Sequence, residues 1–275
     1  MFSVAGRKII VTGASGVIGS AISVALAERG ARLAILGRNE NKLKNTAERI
    51  EKFGNNHLAF SCDVLKLADL QLVRQKIEKE FGTFDALINV AGGATPGASA
   101  KTEFLKPDTP IGDSFFGISL TDFAYTTDLN FMGSVNPIWI FGEAMAKQKS
   151  GNIINISSMG AISPLSKSPA YSAGKAAITN FTQWLAVHLS KVNVRVNAIA
   201  PGFILTEQNR FLLFDEKTGE LTPRGRRIVD HTPLGRLGDP DDLITTILWL
   251  LSDRSAFITG AIVPVDGGFS AFNGI

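Results

Sequence analysis

The sequence predicts an α/β fold built on a doubly wound parallel sheet with helices on both of its faces. Short runs of β-branched and other apolar residues alternate with longer segments of helical period, and a glycine-rich turn follows the first run directly. Buried parallel strands are nearly continuous apolar runs, and crossover helices join them. The alternation reaches residue 265 without an internal repeat or a low-complexity linker. We therefore expect one domain over residues 1–275.

In chain order, each apolar run predicts a strand, and the longer segment of helical period after it predicts the crossover helix. The expected strands are 8–12, 32–36, 58–61, 85–90, 152–156, 194–199 and 261–265. The expected helices are about 17–29, 40–53, 66–81, 121–149, 169–191 and 240–252, the last beginning at the capping pair Asp239-Pro240.

Two long segments do not fit this alternation. Residues 92–120 are rich in Gly, Pro, Ser and Thr, and residues 203–239 mix apolar and charged residues without a clear period. Loops of this length within a compact domain usually serve as lids or substrate walls. We expect both segments to be substrate loops; the alternative is that they are insertions with no role.

The composition argues against several classes of protein. The chain is 45% apolar and 19% charged, which is too hydrophobic for disorder, and no apolar run approaches the roughly 20 residues that span a bilayer. The formal net charge of +3 comes from scattered Lys and Arg, so nucleic acid is not an expected partner. Cys62 stands alone, and residues 1–8 lack the apolar core of a signal peptide. We expect a cytoplasmic protein with no disulfide, no membrane partner and no metal site.

The turn Thr12–Gly19 lies between the first predicted strand and the first predicted helix. In that position, glycines allow main-chain amides to approach a pyrophosphate, and the helix N-terminus adds a favourable dipole and free N–H groups. Many tight turns use glycine for backbone reasons alone. The turn by itself therefore leaves open whether a dinucleotide binds here.

The end of the second predicted strand bears on the choice of dinucleotide. Sites for NAD usually place an acid there to bind the ribose 2′-hydroxyl, whereas a nearby arginine accommodates the 2′-phosphate of NADP. Here the sequence is Leu36-Gly37-Arg38-Asn39. The planar guanidinium of Arg38 matches a phosphate, which favours NADP(H), with NAD(H) as the alternative if Arg38 is only a solvated loop residue.

A serine, a tyrosine and a lysine follow the fifth predicted strand. Ser158 comes just after the strand, Tyr171 stands thirteen residues later, and Lys175 stands one helical turn after Tyr171. We expect the Lys175 ammonium to stabilise a phenolate and to lower the pKa of Tyr171 from its usual value of ~10. Such a phenol exchanges a proton with an alcohol or a ketone. Alone, the Tyr-x-x-x-Lys pattern is usually a solvated helix pair.

These motifs occur together in the order and spacing of the short-chain dehydrogenase/reductase family, which the chain resembles over nearly its whole length. They are Thr12–Gly19, Asp63-Val64, Asn89-Val90-Ala91-Gly92, Asn130, the set Ser158/Tyr171/Lys175, Pro201-Gly202 with Thr206, and Val265-Asp266-Gly267-Gly268. The resemblance implies a Rossmann-like fold and an NAD(P)-dependent enzyme that acts on CH–OH groups, commonly as a homotetramer.

The resemblance also implies residue roles. Tyr171 would be the acid/base, Ser158 would hydrogen-bond the reacting oxygen, Lys175 would hold the nicotinamide ribose, and Asn130 would hold a water of the proton relay. Ser157 is expected to be a structural neighbour, because the family's catalytic serine stands thirteen residues before the tyrosine. With Arg38, the expected cofactor contacts are Gly13, Ser15, Gly16, Val17, Ile18, Gly19, Asp63, Val64, Asn89, Ala91, Gly92, Tyr171, Lys175, Pro201, Gly202 and Thr206.

Two positions depart from the family's commonest pattern. Val17 stands in place of a glycine of the cofactor turn, and Val90 stands in place of the second asparagine of Asn-Asn-Ala-Gly. The sheet contacts of that second asparagine must therefore be replaced or lost.

Residues 151–159, 180–188 and 200–210 resemble one group of the family, the D-mannonate oxidoreductases or fructuronate reductases. That resemblance implies a small-molecule substrate that is a sugar acid, although Ala94-Thr95-Pro96 stands where the group usually has Asn-His-Pro. A carboxylate needs a cation and hydroxyls need polar groups, so Arg210 is the first candidate contact. Further candidates in the loops are Lys101, Lys167, Gln208 and Asn209.

Other interpretations stay open at this point. The same proton machinery would serve a reductase of another ketone, such as a ketogluconate or a 3-oxoacyl thioester. A non-catalytic nucleotide sensor is the alternative from a different class, although a sensor has no need of the four relay residues.

Overall fold

The computed structural model describes residues 2–54 and 57–274, without the side chain of Gln208. Seven strands lie in this described part of the chain and form one parallel sheet in the order β3-β2-β1-β4-β5-β6-β7. They are β1 (Lys8–Thr12), β2 (Arg32–Gly37), β3 (His57–Ser61), β4 (Ala86–Asn89), β5 (Gly151–Ile156), β6 (Val194–Pro201) and β7 (Ile262–Val265). The predicted doubly wound α/β fold is confirmed.

The sheet order reverses between β1 and β4, since the chain first builds outwards through β2 and β3 and then returns to the other side of β1. The register pairs Thr12 with Asn89, so the carboxyl ends of the two strands lie side by side. A crevice opens at such a reversal, because the helices that follow the two strands diverge to opposite faces. The fold therefore places the predicted glycine turn at the expected ligand site.

The helices of the described residues cover both faces of the sheet. They are α1 (Val17–Glu28), α2 (Glu40–Glu51), α3 (Leu67–Phe81), α4 (Leu120–Asn130), α5 (Met132–Pro137), α6 (Glu143–Gln148), α7 (Pro169–Leu189), α8 (Glu207–Leu213), α9 (Pro223–Asp230) and α10 (Ile244–Leu251). Side chains alternate along each strand, so Ile9 and Val11 pack in the core under α1 and α10, while Ile10 packs in the core on the opposite face, with α3 and α7.

The predicted helix over 121–149 is helical but not regular, because the segment divides into α4, α5, a π-helical turn over Ile138–Gly142 and α6. Phe131, between α4 and α5, has a distorted helical backbone with φ −109° and ψ −68°. Pro137 has no N–H to donate to the preceding turn, which interrupts the regular hydrogen-bond pattern just before the π-helical turn. The predicted helix at 240–252 likewise begins as a 3₁₀ turn over Pro240–Leu243, which leads into α10.

The two long segments differ in structure. Residues 92–120 contain three single 3₁₀ turns, Pro96–Ala98, Ile111–Asp113 and Phe115–Gly117, whereas 203–239 contains the short helices α8 and α9. An ion pair joins the segments, because both guanidinium nitrogens of Arg227 lie 3.1–3.2 Å from the carboxylate of Glu103.

No helix in residues 2–54 and 57–274 combines the length and the apolar character that a membrane crossing needs.

Candidate active site

A cleft of about 820 Å³ lies at the carboxyl ends of β1, β4, β5 and β6. Its volume falls in the range of small-molecule and cofactor sites. One end of the cleft is lined by the glycine turn and Arg38, and the other end by Ser158, Tyr171 and Lys175. Most of the predicted cofactor residues and three of the four predicted catalytic residues therefore line one cleft.

The glycine turn is shaped by close main-chain approaches. Gly13 has φ +67°, and a Cβ atom there would lie 2.6 Å from the main-chain nitrogen of Ala91. No side chain caps the N-terminus of α1 at Gly16, and Ser15, Val17 and Ile18 line the cleft with the glycines. Free amides at a helix N-terminus, in a cradle that a Cβ atom would fill, fit the pyrophosphate of a dinucleotide.

The outer end of the cleft is cationic. Arg38, Asn39 and Lys42 line it, and no carboxylate is among the cleft residues that the structure describes. The Arg38 guanidinium is exposed and donates to the phenolic oxygen of Tyr125. These side chains fit the ribose end of a dinucleotide.

Asp63 and Asn89 do not line the cleft, unlike their neighbours Val64, Ala91 and Gly92. The Asp63 carboxylate accepts a hydrogen bond from the main-chain nitrogen of Leu65 at 3.0 Å, which makes it a turn cap. Asn89 is buried and donates to the side-chain oxygen of Asn155 at 2.9 Å.

Val90 lines the cleft at the position of the family's second asparagine. Its main-chain nitrogen donates to the Thr12 hydroxyl at 3.2 Å, and its side chain packs against the core on the α1 face. In this chain, a main-chain hydrogen bond and an apolar contact therefore take the place of the asparagine's contacts.

The three catalytic candidates meet where β5 ends. Ser158 is buried and its Oγ accepts from the Gly160 main chain at 3.0 Å, and it also hydrogen-bonds Tyr171. Tyr171 and Lys175 lie on α7, whose first turn Pro169 opens. The Nζ atom of Lys175 lies 5.7 Å from the centre of the Tyr171 ring and donates to the Ile156 carbonyl at 2.7 Å.

Burial dominates the ionisation of this pair. It raises the pKa of Tyr171, while the hydrogen bond from Ser158 acts in the opposite direction. In this structure Lys175 does not lower the pKa of Tyr171 as expected, because its ammonium lies beside the ring and donates to the Ile156 carbonyl. Burial lowers the pKa of Lys175 to about 8.

Asn130 lies behind the cleft, fully buried at the end of α4. Its amide nitrogen donates to the carbonyls of Gly93 and Thr126 at 2.5 and 2.8 Å, and its oxygen accepts from the Gly93 main chain at 3.2 Å. A Cβ atom on Gly92 would lie 2.9 Å from the Asn130 oxygen and 3.1 Å from the Lys175 Nζ. Asn130 and Lys175 are therefore neighbours across Gly92.

Pro201, Gly202 and Thr206 line the cleft opposite the glycine turn. Gly202 approaches Asp266 so closely that a Cβ atom would lie 2.7 Å from the Asp266 Cα. Thr206 caps α8 in a reciprocal pair with Asn209, whose side-chain oxygen accepts from the Thr206 nitrogen at 2.8 Å. Asn209 itself lines the cleft.

Lys167 and Arg210 are not brought into the cleft wall. Lys167 donates to the carbonyl of Lys101 at 2.7 Å, and the Arg210 guanidinium lies 4.8 Å from the centre of the Phe214 ring. The Lys101 ammonium pairs with Asp113 at 2.6 Å. The side chain of Gln208 lies outside the described residues.

Sequence reasoning missed several cleft residues. The apolar ones near Tyr171 are Met159, Leu165 and Phe203, for which no local pattern distinguishes a wall position from a core position. The place of Lys42 was predictable from the sequence, because Asn39 is a typical helix cap and Lys42 then lies in the first turn of α2, close to Arg38. Among the described residues, no three His, Cys, Asp or Glu side chains are grouped to hold a metal ion.

Comparison with known proteins bears on this geometry. A model of the short-chain dehydrogenase/reductase family, described as enoyl-(acyl carrier protein) reductase, matches residues 13–270. An uncharacterized oxidoreductase of Haemophilus influenzae is 44% identical over 271 residues, which cover 98% of this chain and 95% of the relative. The uncharacterized oxidoreductase UxuB of Bacillus subtilis is 43% identical over 274 residues, covering 99% and 98% of the two chains.

A solved structure from Haemophilus influenzae, provisionally named a D-mannonate oxidoreductase and holding NAD, superposes with a TM-score of 0.93. It is 43% identical and covers 99% of this chain and 98% of its own. The family match, these relatives and the seven-stranded sheet agree: the chain belongs to the short-chain dehydrogenase/reductase family and is an oxidoreductase that acts on CH–OH groups.

Proposed function

We propose that this oxidoreductase interconverts a hydroxyl and a ketone on a sugar acid, with D-mannonate and D-fructuronate as the first pair to test. The observation that carries the proposal is the grouping of Ser158, Tyr171 and Lys175 at the inner end of a dinucleotide cleft.

A bound nicotinamide supplies the hydride for reduction and accepts it for oxidation. In the reducing direction, the Tyr171 hydroxyl donates its proton to the ketone oxygen, and the Ser158 hydroxyl hydrogen-bonds the same oxygen. Burial raises the pKa of Tyr171, which keeps the phenol protonated and ready to donate at neutral pH. The Lys175 ammonium, which in this state donates to the Ile156 carbonyl, is proposed to turn towards the phenolate that remains and to stabilise it, and the reverse steps serve oxidation.

Two likenesses support a sugar acid as the substrate. Residues 151–159, 180–188 and 200–210 resemble the D-mannonate oxidoreductases, and the provisional name of the Haemophilus influenzae structure is of the same group. Arg210, Lys167 and Gln208 remain proposed substrate contacts on the two loops. For Arg210 and Lys167, contact requires a loop movement, since both side chains contact loop residues outside the cleft wall.

The cofactor is proposed to be NADP(H) in preference to NAD(H). Arg38 and Lys42 at the outer end of the cleft, with no carboxylate among its described residues, support a phosphorylated ribose. The NAD held by the Haemophilus influenzae structure supports use of NAD(H). The comparison of the two cofactors is therefore part of the first experiment.

We also propose that the chain assembles as a homotetramer and acts in the cytoplasm. Exposed apolar side chains on the π-helical turn after α5 and on α7 support an interface between subunits. The single cysteine, which is buried, supports a reducing compartment.

The test is the initial rate of nicotinamide oxidation with D-fructuronate, given NADPH or NADH, beside a ketogluconate and a 3-oxoacyl ester. Turnover of fructuronate alone supports the substrate; turnover of another ketone alone replaces it and keeps the reaction class. Tyr171→Phe and Ser158→Ala are expected to abolish or greatly reduce turnover, while Ser163→Ala, which removes an exposed hydroxyl of the same segment, keeps it. A Tyr171→Phe protein with undiminished turnover overturns the proposal.

A further inference from the structure

Two elements carry the catalytic groups, and their mutual placement depends on a few side chains. Ser158 follows β5, whereas Tyr171 and Lys175 lie on α7. The chain between them, residues 159–168, contains only one 3₁₀ turn over Met159–Ala161. The distance from Ser158 to Tyr171 is therefore fixed mainly by how α7 is docked on the end of β5.

Ser157 and Thr179 make a hydrogen-bonded chain at that docking point. The Thr179 hydroxyl lies 2.8 Å from the Lys175 carbonyl, and it lies 2.5 Å from the Ser157 hydroxyl. Because Thr179 has one proton and gives it to the carbonyl, Ser157 is the donor to Thr179. The Ser157 hydroxyl also lies 3.4 Å from the Lys175 carbonyl.

The ammonium and the main chain of Lys175 are thus both fixed by one segment, through its consecutive residues Ile156 and Ser157. Its ammonium donates to the Ile156 carbonyl, and its own carbonyl accepts from the chain that begins at Ser157. The Ser157 main chain is itself fixed, because its nitrogen donates to the carbonyl of Ile199 in β6 at 2.8 Å. Ser157 is only 2% exposed, although it also forms part of the cleft wall, so its bonds are largely shielded from water.

We propose that Ser157 and Thr179 are positioning residues for the reaction, which hold the main chain of Lys175 so that Lys175 and Tyr171 keep their places beside Ser158. This inference rests on the proposed function of Tyr171. Placement at this precision matters, since a misplacement of ~1 Å costs roughly 100-fold in rate, and side chains behind the reacting groups commonly fix it.

The chain offers a matched control at Thr182. Thr182 lies on α7 three residues after Thr179, is fully buried, and also joins α7 to β5, since its hydroxyl accepts from the Asn155 amide at 2.8 Å. Thr182 lies two turns from Lys175 and makes no hydrogen bond to it in the described structure. Thr182→Val therefore removes a comparable docking bond at a distance from the reacting groups.

The experiment compares Ser157→Ala, Thr179→Val, Thr179→Ser and Thr182→Val for kcat, for cofactor dissociation constant and for melting temperature. Ser157→Ala and Thr179→Val are expected to lower kcat about tenfold, as a shift of a fraction of an ångström requires, with cofactor binding changed less than about twofold. Thr179→Ser keeps the hydroxyl and is expected to restore kcat. Thr182→Val is expected to lower the melting temperature and keep the kcat of the wild type.

The double variant Ser157→Ala/Thr179→Val is expected to lose no more kcat than either single variant, because both changes break one chain. The inference is overturned if Ser157→Ala and Thr179→Val retain wild-type kcat, or if Thr182→Val lowers kcat equally. Tyr171→Phe distinguishes a failure of the proposed function from a failure of this inference. An active Tyr171→Phe protein would overturn both. An inactive Tyr171→Phe protein, together with fully active Ser157→Ala and Thr179→Val proteins, would overturn this inference alone.

Discussion

The Nζ atom of Lys175 lies 2.7 Å from the main-chain oxygen of Ile156, in a site where burial lowers the pKa of the ammonium to about 8. A solvated lysine keeps its charge until about pH 10.4. Lys175 is therefore a cation below about pH 8 and loses its proton as the pH rises through that value.

We accordingly expect kcat for ketone reduction to fall as the pH is raised through about 8, because the neutral amine no longer stabilises the Tyr171 phenolate. Tyr171 is not the cause of this decline, since its pKa is raised by burial above the ordinary value of ~10. The measurement is kcat between about pH 6 and pH 10 at saturating substrates. An identical decline in an active Lys175→Arg protein would assign it to another group.

The cofactor preference is tested at Arg38. A hydrogen-bonded charge pair contributes about 1.5–3 kcal/mol, so Arg38→Ala is expected to lower kcat/KM for NADPH by roughly 10- to 100-fold and to affect NADH much less. Lys42→Ala is expected to act in the same direction but more weakly. Lys44→Ala is the matched control, because Lys44 is exposed on the same helix and does not line the cleft. Equal losses with both cofactors would contradict the phosphate assignment.

Gly92 separates Asn130 from Lys175, and a methyl group at this position would press on both. Gly92→Ala is therefore expected to lower kcat by about tenfold or more, since small displacements of catalytic groups cost that much. Gly112→Ala is the control in the same loop, where an added Cβ atom meets nothing within 4 Å. Wild-type kcat in Gly92→Ala would show that turnover does not depend on the present placement of Asn130 and Lys175 around Gly92.

The proposed tetramer is tested at the apolar surface of the helices on the α7 face. Trp139, Trp184 and Val187 are 74%, 56% and 77% exposed in the single chain. We expect light scattering to give the mass of four chains, and Trp184→Glu to reduce it, because a charge is not tolerated in an apolar interface. Phe53→Ser, at an exposed position beyond the end of α2, is expected to leave the mass unchanged.

The strands could be predicted closely from the sequence, because buried parallel strands are short, apolar and bounded by turns. The predicted strand at 8–12 coincides with β1, and the prediction at 194–199 falls two residues short of β6, which ends at Pro201. Apolar periodicity carries this information locally. It does not report irregularities such as the distorted backbone at Phe131, or Pro137, which has no N–H to donate, because the apolar pattern continues through both.

The side chains of the candidate site were predictable where local spacing fixes geometry. Tyr171 and Lys175 share a helix face, and Ser158 follows a strand end, so the fold brings the three together. The loop contacts were not predictable in this way. Arg210 packs on Phe214 and Lys167 donates to the Lys101 carbonyl, and both contacts depend on loop conformations that charge and sequence order do not specify.

The ion pair between Glu103 and Arg227 joins the two long segments through residues that are 124 positions apart in sequence. Each loop is therefore shaped partly by the other, although neither contains a pattern that refers to its partner. Exchange of one loop for that of a relative, in order to alter substrate preference, would leave a charge without its counterpart. A graft of either loop keeps this ion pair only when the other loop is transferred with it.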